Sequence, residues 1–206
     1  MSKHEDCHLV EECGNCSKSK EGELGFQVKL ELEKTAHEET KVQLRMALEK
    51  ALDPFTGLLH KLSFRKTASS SLELCKRDKS SAVMFFADLD EFKQVNDTYG
   101  HDIGDNVIKE VVAVLKTKLR KSDILGREGG DEFLAFLPET SLEQAMHVVE
   151  KIKEAFKLHA FDFGDKKLLV SVSIGVIEVS PEIDTIEKLI KAADKELYKA
   201  KRDRGK

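Results

Sequence analysis

The chain has 206 residues, 34 Lys+Arg against 38 Asp+Glu, a formal net charge of −4 and 40% apolar residues. That is enough apolar material for one core with an appendage, and it excludes a wholly disordered chain, a collagen-like repeat and a disulfide scaffold. No apolar run approaches the ~20 residues of a bilayer span, and the mild acidity offers no bulk attraction for nucleic acid.

Residues 1–7 lack the apolar stretch of a secretory signal, so the expectation is a cytoplasmic protein with no membrane and no nucleic-acid partner. Residues 1–23 are polar, without clear periodicity, and gather His4, Cys7, His8, Cys13 and Cys16. Cys13 and Cys16 have the CxxC spacing that places two thiolates on one metal. With Cys7 and either His4 or His8 they make up a four-ligand Zn²⁺ set. The same atoms would serve an iron–sulfur or redox site, and incidental cysteines in a tail are the alternative. Cys75 stands alone.

Residues 24–52 read as a linker. Leu24, Phe26, Val28, Leu30 and Leu32 alternate with polar residues, as in a strand. From Lys34 onward the residues are strong helix formers, and Leu44, Leu48, Ala51 and Leu52 share one helical face. One helix over about 26–52 is expected, either packed on its own domain or pairing two chains. Pro54 disfavours helix at Asp53 and ends it.

Residues 53–206 read as one α/β domain. A helix over 58–76 precedes a continuous apolar run at 82–87, the mark of a central strand. A short helical turn at 92–96 and a helix over 105–119 follow. Strands at 123–128 and 132–137 flank Gly129-Gly130, a hairpin turn signal. An amphipathic helix over 142–158, a strand region at 167–179 with a hairpin arm at 161–163, and a helix over 185–201 complete the chain. This order contains βαββαβ: an α+β, ferredoxin-like core with helices around a mainly antiparallel sheet, preceded by the N-terminal helix.

The first strand delivers Asp88-Leu89-Asp90 to its C-terminal edge, where Asp90 suits a helix cap and Asp88 has no such use. The glycine turn presents Asp131 and Glu132, and its missing side chains let a large anion approach the backbone. In a ferredoxin-like sheet this hairpin neighbours the first strand, so Asp88 and Asp131 converge. Paired carboxylates with open positions hold Mg²⁺ on substrate phosphates. Between the two acidic sites, residues 92–105 carry Lys93, suited to phosphate, and Asn and Asp side chains that can read the edge of guanine.

Five ordered blocks then resemble one family, the GGDEF-domain diguanylate cyclases, over residues 53–206, about three quarters of the chain. Asp53-Pro54-Phe55-Thr56-Gly57-Leu58 resembles its leading signature. Asp88-Leu89-Asp90-Glu91-Phe92-Lys93, Asn96-Asp97, Gly100-His101 and Gly104-Asp105 follow its central one. Gly129-Gly130-Asp131-Glu132-Phe133 is the namesake motif. Ser173-Ile174-Gly175, then Ala193-Asp194 with Leu197-Tyr198 and Ala200-Lys201, match the closing ones.

The resemblance implies a nucleotidyl-cyclase-like fold and the condensation of two GTP molecules, one per subunit of a homodimer, into cyclic di-GMP and two pyrophosphates. It implies that Asp88, the Leu89 carbonyl and Asp131 hold Mg²⁺ (or Mn²⁺). Asp131 would also be the general base, Glu132 would assist the metal, and Lys93 would stabilise phosphate charge. Gly129 and Gly130 would leave room for the nucleotide, Asn96 and Asp105 would read guanine, His101 would lie near the nucleoside, and Lys201 would contact phosphate. Arg120-Lys121-Ser122-Asp123 resembles the family's RxxD inhibitory site, where Arg120 and Asp123 would bind the product.

The sequence departs from the family at two places. Leu59-His60-Lys61 stands where Asn-Arg is usual, a change expected not to touch the metal site. Three residues instead of two separate Lys201 from Gly205, and the family pattern continues into one more short strand. The alternative function is a catalytically silent module that binds GTP or cyclic di-GMP and signals through the N-terminal segment. The intact acids and glycines favour the enzyme.

Overall fold

The computed structural model describes residues 11–162 and 167–204. The chain divides into two units, Met1–Leu48 and Glu49–Lys206. The first is helix throughout its described part, most of α1 (Glu11–Ala51). The helix starts well before the expected residue 26. Glu and Lys are good helix formers, and no proline interrupts the run, so propensity carries the helix through a stretch without apolar periodicity. Val42 and Met46 lie on one side of it, Leu44 and Leu48 on another, all at least half-exposed. The expected single apolar face is therefore weak.

The second unit is built on a five-stranded sheet ordered β1-β3-β4-β2-β7. These strands are β1 (Leu59–His60), β2 (Ala82–Leu89), β3 (Ile124–Gly129), β4 (Glu132–Pro138) and β7 (Val172–Glu178). All pairings are antiparallel except β1 with β3. The last four strands in that order have the ferredoxin-like arrangement. β1 adds an edge strand where the sequence predicts the start of a helix. β5 (Ala160–Asp162) and β6 (Lys167–Leu169) form a separate hairpin.

Helices cover both faces of the sheet, as expected of helices set around a mainly antiparallel sheet. Val83, Phe85, Ala87 and Leu89 of β2 share a core with α4 (His101–Lys118) and α5 (Leu142–Leu158), the two crossover helices. Met84 and Phe86 join Leu134 and Phe136 of β4 in a second core, under α2 (Lys61–Asp78) and α6 (Ile186–Arg204). The βαββαβ core accounts for the first face only, and α2 and α6 lie outside it in sequence. β2 is buried on both sides, which is why its apolar run is continuous rather than alternating.

Gly175 fixes how closely α6 lies on β7. A Cβ there would stand 2.1 Å from the Ala193 carbonyl oxygen and from the Leu197 nitrogen. Helix backbone thus rests directly on strand backbone, and the turn after Leu197 carries Lys201 to the end of β2. No helix among the described residues is long and apolar enough to cross a membrane.

Candidate active site

Alternation along β2 places Asp88 on the same face as Met84 and Phe86, the face under α6. The register pairs Asp88 with Glu132 across β2 and β4, one step beyond the apolar pair Phe86 and Leu134. Glu132 therefore lies on that face too. The Leu89 N–H donates to the Asp131 carbonyl at 3.4 Å, which brings the glycine turn against the end of β2. Asp88, Leu89, Asp131 and Glu132 thus meet at one sheet edge, as the sequence predicts.

The electrostatics of this edge are acidic. Burial pushes the Asp88 carboxyl above its ordinary pKa, aided by Asp131 and Asp90, and Lys201 only partly offsets it. Burial raises Glu132 as well, reinforced by Asp88 and Asp131 and more weakly by Glu128 and Asp194. Carboxylates that raise one another at a half-buried strand end are the donor set a hard cation stabilises. The residues present therefore fit Mg²⁺ or Mn²⁺. Among the described residues, however, no three ligating side chains are already drawn together. Instead, Lys201 Nζ stands 2.6 Å from Asp88 Oδ1. Sequence reasoning assigned Lys201 to phosphate; the structure puts it on a carboxylate.

Asp90 is not the residue directly before α3 (Phe92–Tyr99), a place that Glu91 takes. The Asp90 carboxylate accepts hydrogen bonds from Ser171 Oγ at 2.7 Å and Ser173 Oγ at 2.6 Å, tying the end of β2 to β7. Glu91 lies in the left-handed region at φ 56°, without a side-chain cap.

The turn itself is held from β3. Arg127 donates through Nε and Nη2 to the Gly130 carbonyl, at 3.1 and 2.7 Å, and through Nη1 to Asp53 Oδ1 at 3.1 Å. Asp53 Oδ1 also accepts from the Thr56 N–H at 2.8 Å and from Thr56 Oγ1 at 2.6 Å. Burial opposes the Asp53 charge, but these hydrogen bonds outweigh it and lower the pKa. Next to Arg127, Glu128 takes a bidentate pair from Arg65, at 2.6 and 2.8 Å, and Lys61 Nζ at 2.8 Å. Here too burial works to raise the carboxyl, and the Arg65 and Lys61 hydrogen bonds lower it. His60 caps α2 through Nδ1 and meets the Lys50 carbonyl through Nε2. The departure at 59–61 thus reaches the residue before the glycines.

Sequence reasoning missed Arg127, Glu128, Arg65 and the two serines. The available signal was Arg127-Glu128 itself, a charged pair inside a strand whose partner is apolar.

Lys93, Asn96, His101 and Asp105, which the sequence leads one to expect on the nucleotide side, lie on α3 and α4. Gly100, at φ 88°, joins the two helices. A Cβ on Gly104 would stand 1.8 Å from Asn96 Oδ1, so a larger residue there would displace the Asn96 side chain. Asn96 is half-buried. Lys93, His101 and Asp105 are exposed.

Arg120 and Asp123 close a turn between α4 and β3. Asp123 Oδ2 accepts the Arg120 N–H at 2.7 Å. Asp123 Oδ1 is buried with no hydrogen-bond partner among the described residues. Burial raises this carboxyl, against the pull of Arg120. The turn borders a cleft of about 420 Å³ lined by Leu58, Lys116, Leu119, Arg120 and Asp123. Of the N-terminal cluster, His4, Cys7 and His8 lie outside the described residues, as do the side chains of Cys13 and Cys16.

Residues 50–206 match the family described as diguanylate cyclase, GGDEF domain. The probable diguanylate cyclase DgcC of Escherichia coli is 30% identical over 158 residues, covering 77% of this chain and 42% of that protein. The response regulator PleD of Caulobacter vibrioides is 33% identical over 183 residues, covering 87% of this chain and 40% of that protein. The chain thus spans less than half the length of these curated relatives. Among solved structures, the diguanylate cyclase SiaD in complex with its activator SiaC, from Pseudomonas aeruginosa, aligns with a TM-score of 0.72 at 33% identity. That alignment covers 94% of this chain and 75% of SiaD. With the glycine turn, the acidic sheet edge and the sheet order all of one kind, the chain belongs to the GGDEF-domain family of diguanylate cyclases over residues 50–206.

Proposed function

We propose that this protein is itself a diguanylate cyclase, condensing two GTP into cyclic di-GMP across a dimer of two copies. The observation that carries the reading is the register that pairs Asp88 with Glu132 and seats Asp131 against Leu89. In each half-reaction a ribose 3′-oxygen bonds to an α-phosphorus, the bond to the bridging oxygen breaks, and pyrophosphate leaves. Asp131 accepts the hydroxyl proton. Asp88, the Leu89 carbonyl and Asp131 would hold Mg²⁺ or Mn²⁺, with Glu132 assisting, and the cation would supply charge neutralisation at the phosphates. Lys93 and Lys201 add positive charge on the phosphate side. Asn96 and Asp105 read guanine, with His101 near the nucleoside, and Gly129 and Gly130 leave the backbone open to the nucleotide. One copy holds one GTP, so two copies must face each other.

Arg120 and Asp123 form a product-binding site that slows the enzyme as cyclic di-GMP accumulates. The partnerless Asp123 Oδ1 beside a cleft supports this, because a guanine edge offers N–H donors to it. The N-terminal Cys/His cluster is proposed as a Zn²⁺ site, tested by zinc content of the purified full chain. Substoichiometric zinc after metal-free dialysis and reloading would remove it.

Purified full-length protein with GTP and Mg²⁺ should yield cyclic di-GMP, identified by mass after chromatography. Asp131→Ala should lower turnover by at least about 100-fold with its melting temperature retained. In the same assay Arg120→Ala should abolish the slowing by added cyclic di-GMP. No product from the wild type at micromolar concentration, with and without zinc, would remove the enzyme reading. Binding of cyclic di-GMP alone would then point to the silent module.

A further inference from the structure

Asp88 is set at the C-terminal end of β2, with its side chain 13% exposed, whereas Lys201 reaches it from the last turn of α6 and is 40% exposed. The aspartate is positioned by a central strand bonded on both sides. The lysine is positioned only through its own four-carbon stem, beyond the last buried residue of the helix, Leu197. One partner is therefore fixed and the other can swing away. At 2.6 Å the ammonium occupies Asp88 Oδ1. A divalent cation on the same carboxylate would face that ammonium at short range, in a half-buried site where like charges repel strongly. Asp131, Asp90 and Glu132 add negative charge around Asp88, which favours the ammonium at this strand end. Lys201 leaves at low cost only if another anion receives it, and a triphosphate is such an anion.

We propose that Lys201 and a divalent cation compete for Asp88, so that the cation is held tightly only together with a nucleotide whose phosphates take Lys201. The proposal rests on the cation-and-nucleotide reading above and adds an obligatory coupling between the two ligands. By linkage the coupling is reciprocal: the nucleotide strengthens cation binding by the factor by which the cation strengthens nucleotide binding.

The test is Mn²⁺ binding to the full chain, followed by electron paramagnetic resonance or calorimetry without nucleotide. Lys201→Met should bind Mn²⁺ about tenfold more tightly than the wild type. Lys201→Gln should behave alike, in case the apolar side chain disturbs α6. Lys199→Met is the control: it removes a charge from the same helix, from a lysine paired with Glu196, and should change Mn²⁺ affinity less than about twofold. In the wild type a non-hydrolysable GTP analogue should tighten Mn²⁺ binding, and in Lys201→Met that gain should largely vanish. Equal Mn²⁺ affinities of wild type and Lys201→Met would overturn the proposal. So would equal gains from Lys199→Met and Lys201→Met, or no Mn²⁺ binding to Lys201→Met. Failure of the wild type to bind the analogue, with the nucleotide-free difference intact, would sink the nucleotide reading instead.

Discussion

Asp88 is held in surroundings that resist its charge. Burial and the neighbouring Asp131 and Asp90 raise its pKa even with Lys201 beside it. A carboxyl whose folded pKa is raised costs stability where the native state must carry it ionised, above its raised pKa. As pH falls through that value the folded protein takes up the proton before the unfolded chain does, and the cost disappears. Asp88→Asn should therefore melt higher than the wild type at pH 7, and the two should converge toward pH 4, while Mg²⁺-dependent turnover is lost. Thermal melts across that range check it, and an Asp88→Asn protein that melts lower at pH 7 would contradict it. Functional sites commonly trade stability for charge in this way. Glu132 is raised for a similar reason, so Mn²⁺ affinity should weaken on acidification at a higher pH than exposed carboxylates would allow.

The element that decides the site is the β3–β4 hairpin, and it is clasped rather than merely turned. Arg127 fixes the Gly130 carbonyl to Asp53, and Glu128 fixes the strand end to α2 through Arg65 and Lys61. Glu128 is the opposite case to Asp88. Its pKa is lowered, so its contribution to stability is present above the ordinary glutamate range and is lost as pH falls through the lowered value. Glu128→Gln should destabilise the protein by about 1–3 kcal/mol at neutral pH, with the difference fading on acidification. Urea unfolding at two pH values measures this. A positioning role predicts more: turnover of Glu128→Gln should fall several-fold, and pairing Glu128→Lys with Arg65→Glu should recover part of it. Full activity in Glu128→Gln would leave the clasp as support for the fold alone.

At the scale of the whole molecule, the proposed reaction joins two nucleotides and needs two copies, because the described residues carry one candidate nucleotide-reading set. Specific activity should therefore rise with protein concentration and level off once dimers dominate, in the micromolar range for an interface of modest affinity. Activity independent of dilution, from a species that light scattering shows to be monomeric, would refute the two-copy mechanism. Among the described residues of the first unit, Val42, Leu44, Met46 and Leu48 of α1 are apolar and at least half-exposed.

Much of this was legible along the chain. The continuous apolar run of β2, the Gly-Gly turn and the order of helices and strands identified the core, because each is a local signal of period or conformation. The acids at the ends of β2 and β3 could be paired because antiparallel neighbours place strand ends together. Four things were decided only in three dimensions. β1 is too short to carry a period, and its pairing with β3 depends on where the chain returns. The second helical layer depends on residues outside the βαββαβ unit. Arg127, Glu128 and Arg65 are ordinary surface charges in sequence, and only the approach of α2 to β3 makes them a clasp. Lys201 meets Asp88 because Gly175 lets α6 lie on β7, a contact between residues more than a hundred positions apart. Local periodicity and turn chemistry thus determined the elements and the acidic motif; long-range packing alone determined which charges face one another.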